Sequence, residues 1–296
     1  MFVYLVISGR RLATAAAGVI SVLILSVLLI RGPLAAPVSA LTGGGEETVK
    51  VPILMYHSIL KDESRTGVYV VTPQQLECDL QYLKEKGYQS VTMRDLIDYV
   101  NFGAPLPEKP VVLTFDDGHL NNMVYATPLL EAYGMRAVLS VVGMYCDQAT
   151  RTNENSVSYS YLTWDQIAQV NEDGVFELQN HSYTMHFLND MRKGSLPMQG
   201  EGAAQYRQAL VADLGRMQEK LTAQTGVAPT TFTYPFGLYS KDSQEILQSM
   251  GFQATLICEE GVNCITQGDP DCLFGLKRIL RSGNDSTYTV MKNLCD

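Results

Sequence analysis

Several features that would direct a first reading elsewhere are scarce in this chain. Six cysteines are present but none forms a Cys-x-x-Cys pair, which argues against a structural zinc site of the finger type. No basic tract occurs, and 31 acidic against 22 basic residues leave a net charge of −9. The electrostatic footprint of a nucleic-acid-binding protein is therefore missing. Low-complexity tracts and sequence repeats are also absent. There is one tryptophan and only four histidines, so each of these positions is informative. What remains, 46% hydrophobic and 18% charged over 296 residues, describes an ordinary globular protein with a sizeable core. That length suits one large domain or two small ones.

Four of the cysteines (Cys258, Cys264, Cys272 and Cys295) crowd the C-terminal stretch. Outside the cytosol they would supply one or two disulfides pinning the tail. Cys78, on an expected helix, and Cys146, just after an expected strand, read as buried free thiols.

Leu12 to Ile30 runs nineteen residues without a charge. A helix of that length spans about 28 Å, close to a bilayer core of roughly 30 Å. Arg10 and Arg11 precede it and orient the N-terminus inward, exporting the rest of the chain. The segment reads as an uncleaved anchor, although Leu34-Ala-Ala-Pro-Val-Ser-Ala40 offers a signal peptidase a cut site. The expected organisation is an anchor or signal segment over 1–31, a flexible linker over 32–50 that includes the tether Gly43 to Glu47, and one folded domain over 51–296.

From Val51 onward one phrase repeats: apolar strand, turn, helix, glycine, strand. Helices are expected over Pro73–Lys86 with Thr72 as N-cap, Arg94–Val100, Asn121–Tyr133, a stretch from Thr163 to Gly174, Gly202–Gln224 and Asp242–Met250. A loop rich in Ser, Thr and Asn is expected between the strand Met135–Val142 and Thr163. Gly87, Gly134, Gly174, Gly226 and Gly251 each stop a helix just before strand-like residues. Repeated βα units with short connections imply parallel strands in an α/β fold.

The centre of the chain is Val111-Val-Leu-Thr-Phe-Asp-Asp-Gly118, an apolar strand running into two adjacent carboxylates and a glycine. In α/β folds the C-terminal strand edge is where chemistry collects. Two carboxylates there repel unless a cation or a shared proton intervenes, so a metal site is the economical reading. An Asp-Asp-Gly turn that merely caps the next helix is the bland alternative. The histidines favour the metal. His57, His119, His181 and His186 each fall at or just beyond an expected strand end, so all could meet at one rim. Residues i and i+5 of a regular helix point about 140° apart, so His181 and His186 could share one ion only from a strand-to-loop transition.

With these residues in place, a resemblance becomes specific. Thr114-Phe-Asp-Asp-Gly118 resembles the first motif of the polysaccharide deacetylase (NodB-homology) family, His181-Ser182 through His186 its second, and Thr233-Tyr-Pro-Phe-Gly237 its third. Tyr56-His57 and the extra residue between the two histidines resemble the branch acting on poly-N-acetylglucosamine. The resemblance covers roughly Val51 to Arg281. It implies a deformed, incomplete (β/α) barrel of about seven strands, a choice over an open sheet that periodicity alone does not make.

The same resemblance implies a metal-dependent hydrolase of non-peptide amide bonds. Asp117, His181 and His186 would be the metal ligands and Asp116 the general base. Such a ligand set suits Zn²⁺, with Co²⁺, Ni²⁺ or Mn²⁺ also able to occupy it. A backbone N–H near Phe236 would help hold the oxyanion, with Tyr234 and Pro235 beside it at the substrate. The family often draws the acid for the leaving amine from a Leu-x-His motif near the C-terminus, but no histidine follows His186, and His57 is the well-placed replacement. The third motif commonly begins with an arginine that orients the base. Thr233 stands there, leaving Arg278 or Arg281 to supply the charge. His119 reads as an exposed helix-start residue or a neighbour of the site. Trp164 is a core plug or a sugar platform, and Tyr234, Phe236 and Tyr239 are comparable sugar-stacking candidates.

The expected activity is N-deacetylation of a cell-surface N-acetylglucosamine polymer by a membrane-anchored extracytoplasmic domain. Peptidoglycan or chitin-type oligomers are alternative substrates. A catalytically inactive glycan-binding protein of the same fold, or a hydrolase of a small amide, is the alternative of another kind.

Overall fold

The structure is a computed structural model and describes residues 47–189 and 192–294. The expected membrane segment Leu12–Ile30, most of the linker, the cleavage site and Cys295 lie outside these residues. No helix among the described residues is long and apolar enough to cross a membrane.

The central sheet is assembled from β1 (Thr48–Tyr56), β5 (Pro110–Phe115), β6 (Ala137–Val141), β7 (Phe176–Asn180), β8 (Thr231–Thr233), β9 (Ala254–Leu256) and β10 (Val262–Thr266). Their order is β10-β1-β5-β6-β7-β8-β9, parallel except where β10 runs antiparallel to β1. Short strands β4 (Gln89–Ser90) and β11 (Ile279–Leu280) pair with β5 and β1, while β2 (Ser58–Ile59) and β3 (Val70–Val71) form a separate pair. The sheet curls into an incomplete barrel. The segment from Leu276 to Leu280 spans its gap: Leu276 bridges Leu256 of β9, and Ile279 and Leu280 pair with Leu54 and Met55 of β1. β1 begins at Thr48, so the end of the expected linker is strand, paired with β10.

Alternation along the strands sorts the core. Residues Leu54, Leu113, Phe115, Leu139 and Leu178 pack outward against Leu76, Leu80 and Leu83 of α1 (Pro73–Glu85) and Ile167 and Val170 of α5 (Trp164–Asp173). Residues of the opposite face, Ile53, Val112, Val138, Ala254 and Leu256, join Met93, Leu96 and Ile97 of α2 (Met93–Phe102) in a second cluster. A third cluster forms where Phe232 of β8 meets α6 (Ala203–Thr225) and α7 (Lys241–Ser249).

Helix starts follow their local signals. Thr72 accepts from the Gln75 N–H at 3.1 Å while Gln75 accepts from the Thr72 N–H at 2.9 Å, a reciprocal cap that Thr163 and Gln166 repeat. The five helix-stopping glycines, among them Gly134 after α3 (Thr127–Tyr133), all have positive φ.

One helix departs from the expectation of a loop. Helix α4 (Gly143–Thr152) has Val142 before it and no side-chain cap. Its first N–H groups, of Gly143 and Met144, donate instead to the carbonyls of Ser182 and Tyr183 at 3.1 and 2.8 Å. That cap is tertiary, so no local pattern announces it. A Cβ on Gly143 would meet the Tyr183 ring at 2.3 Å, which explains the glycine.

The described cysteines are free thiols; Cys78 is exposed rather than buried, whereas Cys146 is buried. The expected disulfides among Cys258, Cys264 and Cys272 do not form.

The C-terminal segment is held by a buried ion pair. Arg281 Nε donates to Asp79 Oδ2 at 2.6 Å, joined by Tyr56 Oη at 3.0 Å, while Thr287 Oγ1 donates to Oδ1 at 2.6 Å. Burial raises the Asp79 carboxyl above its usual range even against Arg281. Replacing Arg281 with Met should strand this carboxylate and cost about 3–5 kcal/mol, whereas the double change Asp79→Leu with Arg281→Met should recover most of the loss. Urea denaturation measures both. An Arg281→Met loss below about 1 kcal/mol, the range of an exposed pair, would contradict the arrangement.

Candidate metal centre and active-site cleft

The inward faces of the strands change character along their length. On β5, apolar Val112 gives way to Thr114 and then Asp116, which lies just past the strand end with its N–H still donating to Tyr56 O at 3.0 Å. On β6, Val138 gives way to Ser140, whose hydroxyl meets Thr233 Oγ1 of β8 at 2.6 Å. On β1 the same alternation leads to His57, and on β7 to His181. A layer of hydroxyl side chains thus separates the apolar interior from the titratable residues at the C-terminal rim.

Above that layer lies a cleft of about 740 Å³ whose walls include His57, Asp116, Asp117, His181, His186 and Phe236. Three non-glycine residues here have left-handed backbone: Asp117 (φ 74°), Ser182 (φ 71°) and Phe236 (φ 59°). Such residues cost of order 1–3 kcal/mol each and persist where the surroundings impose them. Gly118 follows Asp117 with φ 76°, and a Cβ there would meet Val141 Cγ1 at 2.8 Å. A regular strand would send Asp117 to the face opposite Asp116, and the sharp turn instead brings both carboxylates into the cleft.

Asp116 turns toward Arg278. The guanidinium donates to both oxygens at 2.8 Å, to Thr114 Oγ1 at 3.2 Å and to Ile257 O at 2.9 Å, and its side chain is fully buried. Burial raises the Asp116 carboxyl, but Arg278 and the nearby histidines outweigh it and hold the group below the usual carboxylate range. His57 Nε2 lies 4.0 Å from Asp116 Oδ2. Burial lowers the His57 pKa in spite of the neighbouring carboxylates.

Asp117 turns the other way. Its Oδ1 lies 3.1 Å from His186 Nε2 and 3.6 Å from His181 Nε2. Each histidine is held by its other ring nitrogen: His181 Nδ1 meets Thr233 O at 2.7 Å, and His186 Nδ1 meets Tyr145 Oη at 3.2 Å. One donor atom from each of the three residues lies within 4.8 Å of the others. Ligands about 2.0–2.2 Å from a tetrahedral ion stand roughly 3.4 Å apart, so these spacings suit Zn²⁺ or a similar cation. Asp117 Oδ1 is also buried without a hydrogen-bond partner despite the histidines facing it. An unsatisfied buried carboxylate oxygen between two imidazole nitrogens is a donor set that a divalent cation would satisfy. The residues present fit a divalent metal.

The loop between the histidines is clamped from α6. Asp213 accepts from the N–H groups of Tyr183 and Thr184 at 2.8 Å each, and from Thr184 Oγ1 at 2.5 Å. Tyr183 Oη also donates to Asp147.

Other expected residues fall elsewhere. Arg281 pairs with Asp79 and not with Asp116, so it does not orient that carboxylate; Arg278 has that position. Tyr234 is buried, its hydroxyl 3.0 Å from Ser243 Oγ in the α6–α7 cluster, and Pro235 is buried beneath the loop at Gly194. Neither faces the cleft, whereas Phe236 does, with its ring 4.7 Å from that of His186. Trp164 is a core residue whose Nε1 donates to Asp147 at 2.7 Å. His119 is not an exposed helix start: its Nε2 lies 3.5 Å from Asp117 Oδ2. Exposed Tyr69, Tyr159 and Leu188 line the cleft without having been anticipated, because nothing in their local sequence distinguishes them from surface loops.

The family model for polysaccharide deacetylase matches residues 103–255, about half of the chain, and includes Asp116, Asp117, His181 and His186. The chain belongs to the polysaccharide deacetylase family. His57 and Arg278 lie outside the matched residues. Over 251 residues the chain is 28% identical to the poly-beta-1,6-N-acetyl-D-glucosamine N-deacetylase of Escherichia coli (strain K12), covering 79% of this chain and 37% of that protein. It thus spans little more than a third of that relative. A Staphylococcus aureus (strain MRSA252) protein of the same name is 23% identical, with 76% of this chain and 72% of that protein covered. The fold matches a de-N-acetylase from Aggregatibacter actinomycetemcomitans with a TM-score of 0.69 and 24% identity, covering 83% of this chain and all of that one (100%). It matches IcaB from Ammonifex degensii with a TM-score of 0.66 and 24% identity, covering 81% and 94%.

For this family member the buried neutral histidines set a pH dependence. Burial brings His181 from 6.5 to about 4 and lowers His57 as well. With folded values depressed, protons bind the unfolded chain more readily. The stabilisation is complete above pH 6.5 and is lost as the pH falls toward 4, by up to about 3 kcal/mol for His181. Denaturation of chelator-treated protein between pH 7 and 4.5 checks this; a flat profile would contradict it.

Proposed function

We propose that this chain is a metal-dependent N-deacetylase of cell-surface poly-N-acetylglucosamine, releasing acetate and leaving free amines on the polymer. The observation that carries the reading is the Asp117–His181–His186 donor set beside an Arg278-held Asp116 in one cleft. The polymer is suggested by the names of the relatives. In this reading Leu12–Ile30 anchors the chain and the domain over 51–296 works outside the cytoplasm. Zn²⁺ is the favoured ion, with Co²⁺, Ni²⁺ or Mn²⁺ compatible with the same donors.

Asp117, His181 and His186 would hold a divalent cation, which when bound would supply Lewis-acid polarisation of the acetyl carbonyl and of the attacking water. Asp116, ionised at neutral pH, takes a proton from that water as its oxygen attacks the carbonyl carbon. Arg278 keeps the carboxylate oriented and charged beforehand. The amide C–N bond then breaks, and the amine nitrogen must receive a proton because an amide anion is too basic to leave. His57 delivers it. Its lowered pKa leaves it neutral at rest, so it has to be loaded during the reaction, and Asp116 Oδ2 at 4.0 Å is the nearest group carrying the water's proton. The water's first proton reaches the nitrogen through Asp116 and His57, and its second is given up by the nascent acetic acid to the same amine. Water and amide are thus consumed, acetate and an ammonium group are formed, and no proton is left over. Phe236 offers its ring to the sugar beside His186.

Acetate release from poly-β-1,6-N-acetylglucosamine by the full-length protein tests the reading. Chelation should abolish release and re-metallation should restore it. Asp117→Ala should be inactive, and His57→Ala should fall by about 10²–10⁴-fold. Undiminished release by Asp117→Ala would refute the site. Release from peptidoglycan fragments but not from this polymer would refute the substrate.

A further inference from the structure

Asp117 presents two oxygens, and the metal reading uses one of them. Oδ1 faces the Nε2 atoms of His181 and His186. Oδ2 faces His119, whose Nε2 lies 3.5 Å away, at the outer limit of an N–H···O contact. The facing groups together hold the Asp117 carboxyl well below its ordinary range against the opposing effect of burial.

His119 is itself firmly placed. Its backbone bridges Tyr161, the Leu120 N–H donates to Ser160 O at 2.9 Å, and the Leu162 N–H donates to Gly118 O at 2.9 Å. The imidazole stacks on the Tyr161 ring at 4.9 Å, and Tyr161 stacks in turn on Tyr145 at 4.2 Å. Tyr145 Oη then meets His186 Nδ1 at 3.2 Å. The chain of contacts therefore leaves Asp117 through His119 and returns to it through His186. Both ends of the contact between carboxylate and histidine are braced by one aromatic ladder.

His119 is not a fourth ligand in this geometry. The donor atoms that lie mutually within 4.8 Å are those of Asp117, His181 and His186. Its place is on the opposite side of the carboxylate. Stacking alone does not account for that placement, since an aromatic ring without nitrogen would stack on Tyr161 equally well.

We propose that His119 is a positioning residue for the metal carboxylate: its Nε2–H donates to Asp117 Oδ2 and fixes Oδ1 toward His181 and His186. The side chain of Asp117 needs such a partner because it leaves a backbone in the left-handed region, where rotamers that suit an ordinary strand end are unavailable to it. Partners of this kind orient a ligand and raise metal affinity without touching the ion. The proposal rests on the reading of Asp117 as a metal donor.

The test is Zn²⁺ affinity of the full-length protein, measured by competition with a chromophoric chelator. Wild type, His119→Phe, His119→Gln and Asp117→Ala are compared, alongside the melting temperature of each without metal. His119→Phe keeps the stack and loses the donor, so its affinity should fall by about 10–100-fold with the metal-free melting temperature unchanged. His119→Gln, which retains an N–H donor, should recover a large part of the loss. Wild-type affinity in His119→Phe would overturn the positioning role and leave the proposed activity standing. Equal losses in the Phe and Gln variants, matched by lower metal-free melting temperatures, would make His119 a packing residue and also overturn it. Undiminished Zn²⁺ binding by Asp117→Ala would instead remove the metal reading on which the role depends.

Discussion

A guanidinium sealed against a carboxylate organises this site. Arg278 and Asp116 are both buried, and neither charge would be tolerable there alone. Together they satisfy each other through two parallel 2.8 Å hydrogen bonds, with Thr114 and the Ile257 carbonyl taking further donors. The pair also has a structural consequence. Arg278 sits in the segment that spans the gap of the barrel, and Asp116 sits just past the end of β5. The contact that keeps Asp116 ionised therefore also ties the gap-spanning segment to β5, alongside its backbone pairing with β1 and β9.

Around that pair, the structure divides labour between faces and between neighbours. On a regular strand the adjacent residues Asp116 and Asp117 would point to opposite faces of the sheet. The left-handed turn at Asp117 points one carboxylate at an arginine and the other at histidines. Comparable turns at Ser182 and Phe236 place the remaining parts of the site, held by one local contact and by contacts from other segments. Asn180 Oδ1 accepts the Ser182 N–H at 2.9 Å, Asp213 holds the next two residues, and the chain at Gly194 packs against Pro235. The cost of these conformations is met by neighbours that have no part in the chemistry.

Much of this was legible in the sequence because its signals are local. Thr72 and Thr163 announce their helices, the glycines end them, and the apolar run from Val111 to Phe115 reads directly as a buried strand. The two carboxylates and four histidines at strand ends also gave the site's location. What escaped was decided by distant contacts. Helix α4 is capped by carbonyls of the histidine loop, so its own residues carry no start signal. Arg278 and Arg281 are close in sequence and lie on opposite sides of the strand, and only the fold separates one carboxylate partner from the other. Tyr234 belongs to a motif but faces a helix pair, because alternation along β8 turns it away from the cleft. The free cysteines show the reverse hazard: crowding in sequence did not bring those of the described residues together.

The proposed chemistry would depend on the identity of the donors around one cation. X-ray absorption spectroscopy of the full-length protein loaded with Co²⁺ reads that shell directly. The structure predicts two imidazole nitrogens and a carboxylate oxygen, with one imidazole lost in His186→Ala. A sulfur-containing shell, an all-oxygen shell, or a shell unchanged by His186→Ala would contradict it.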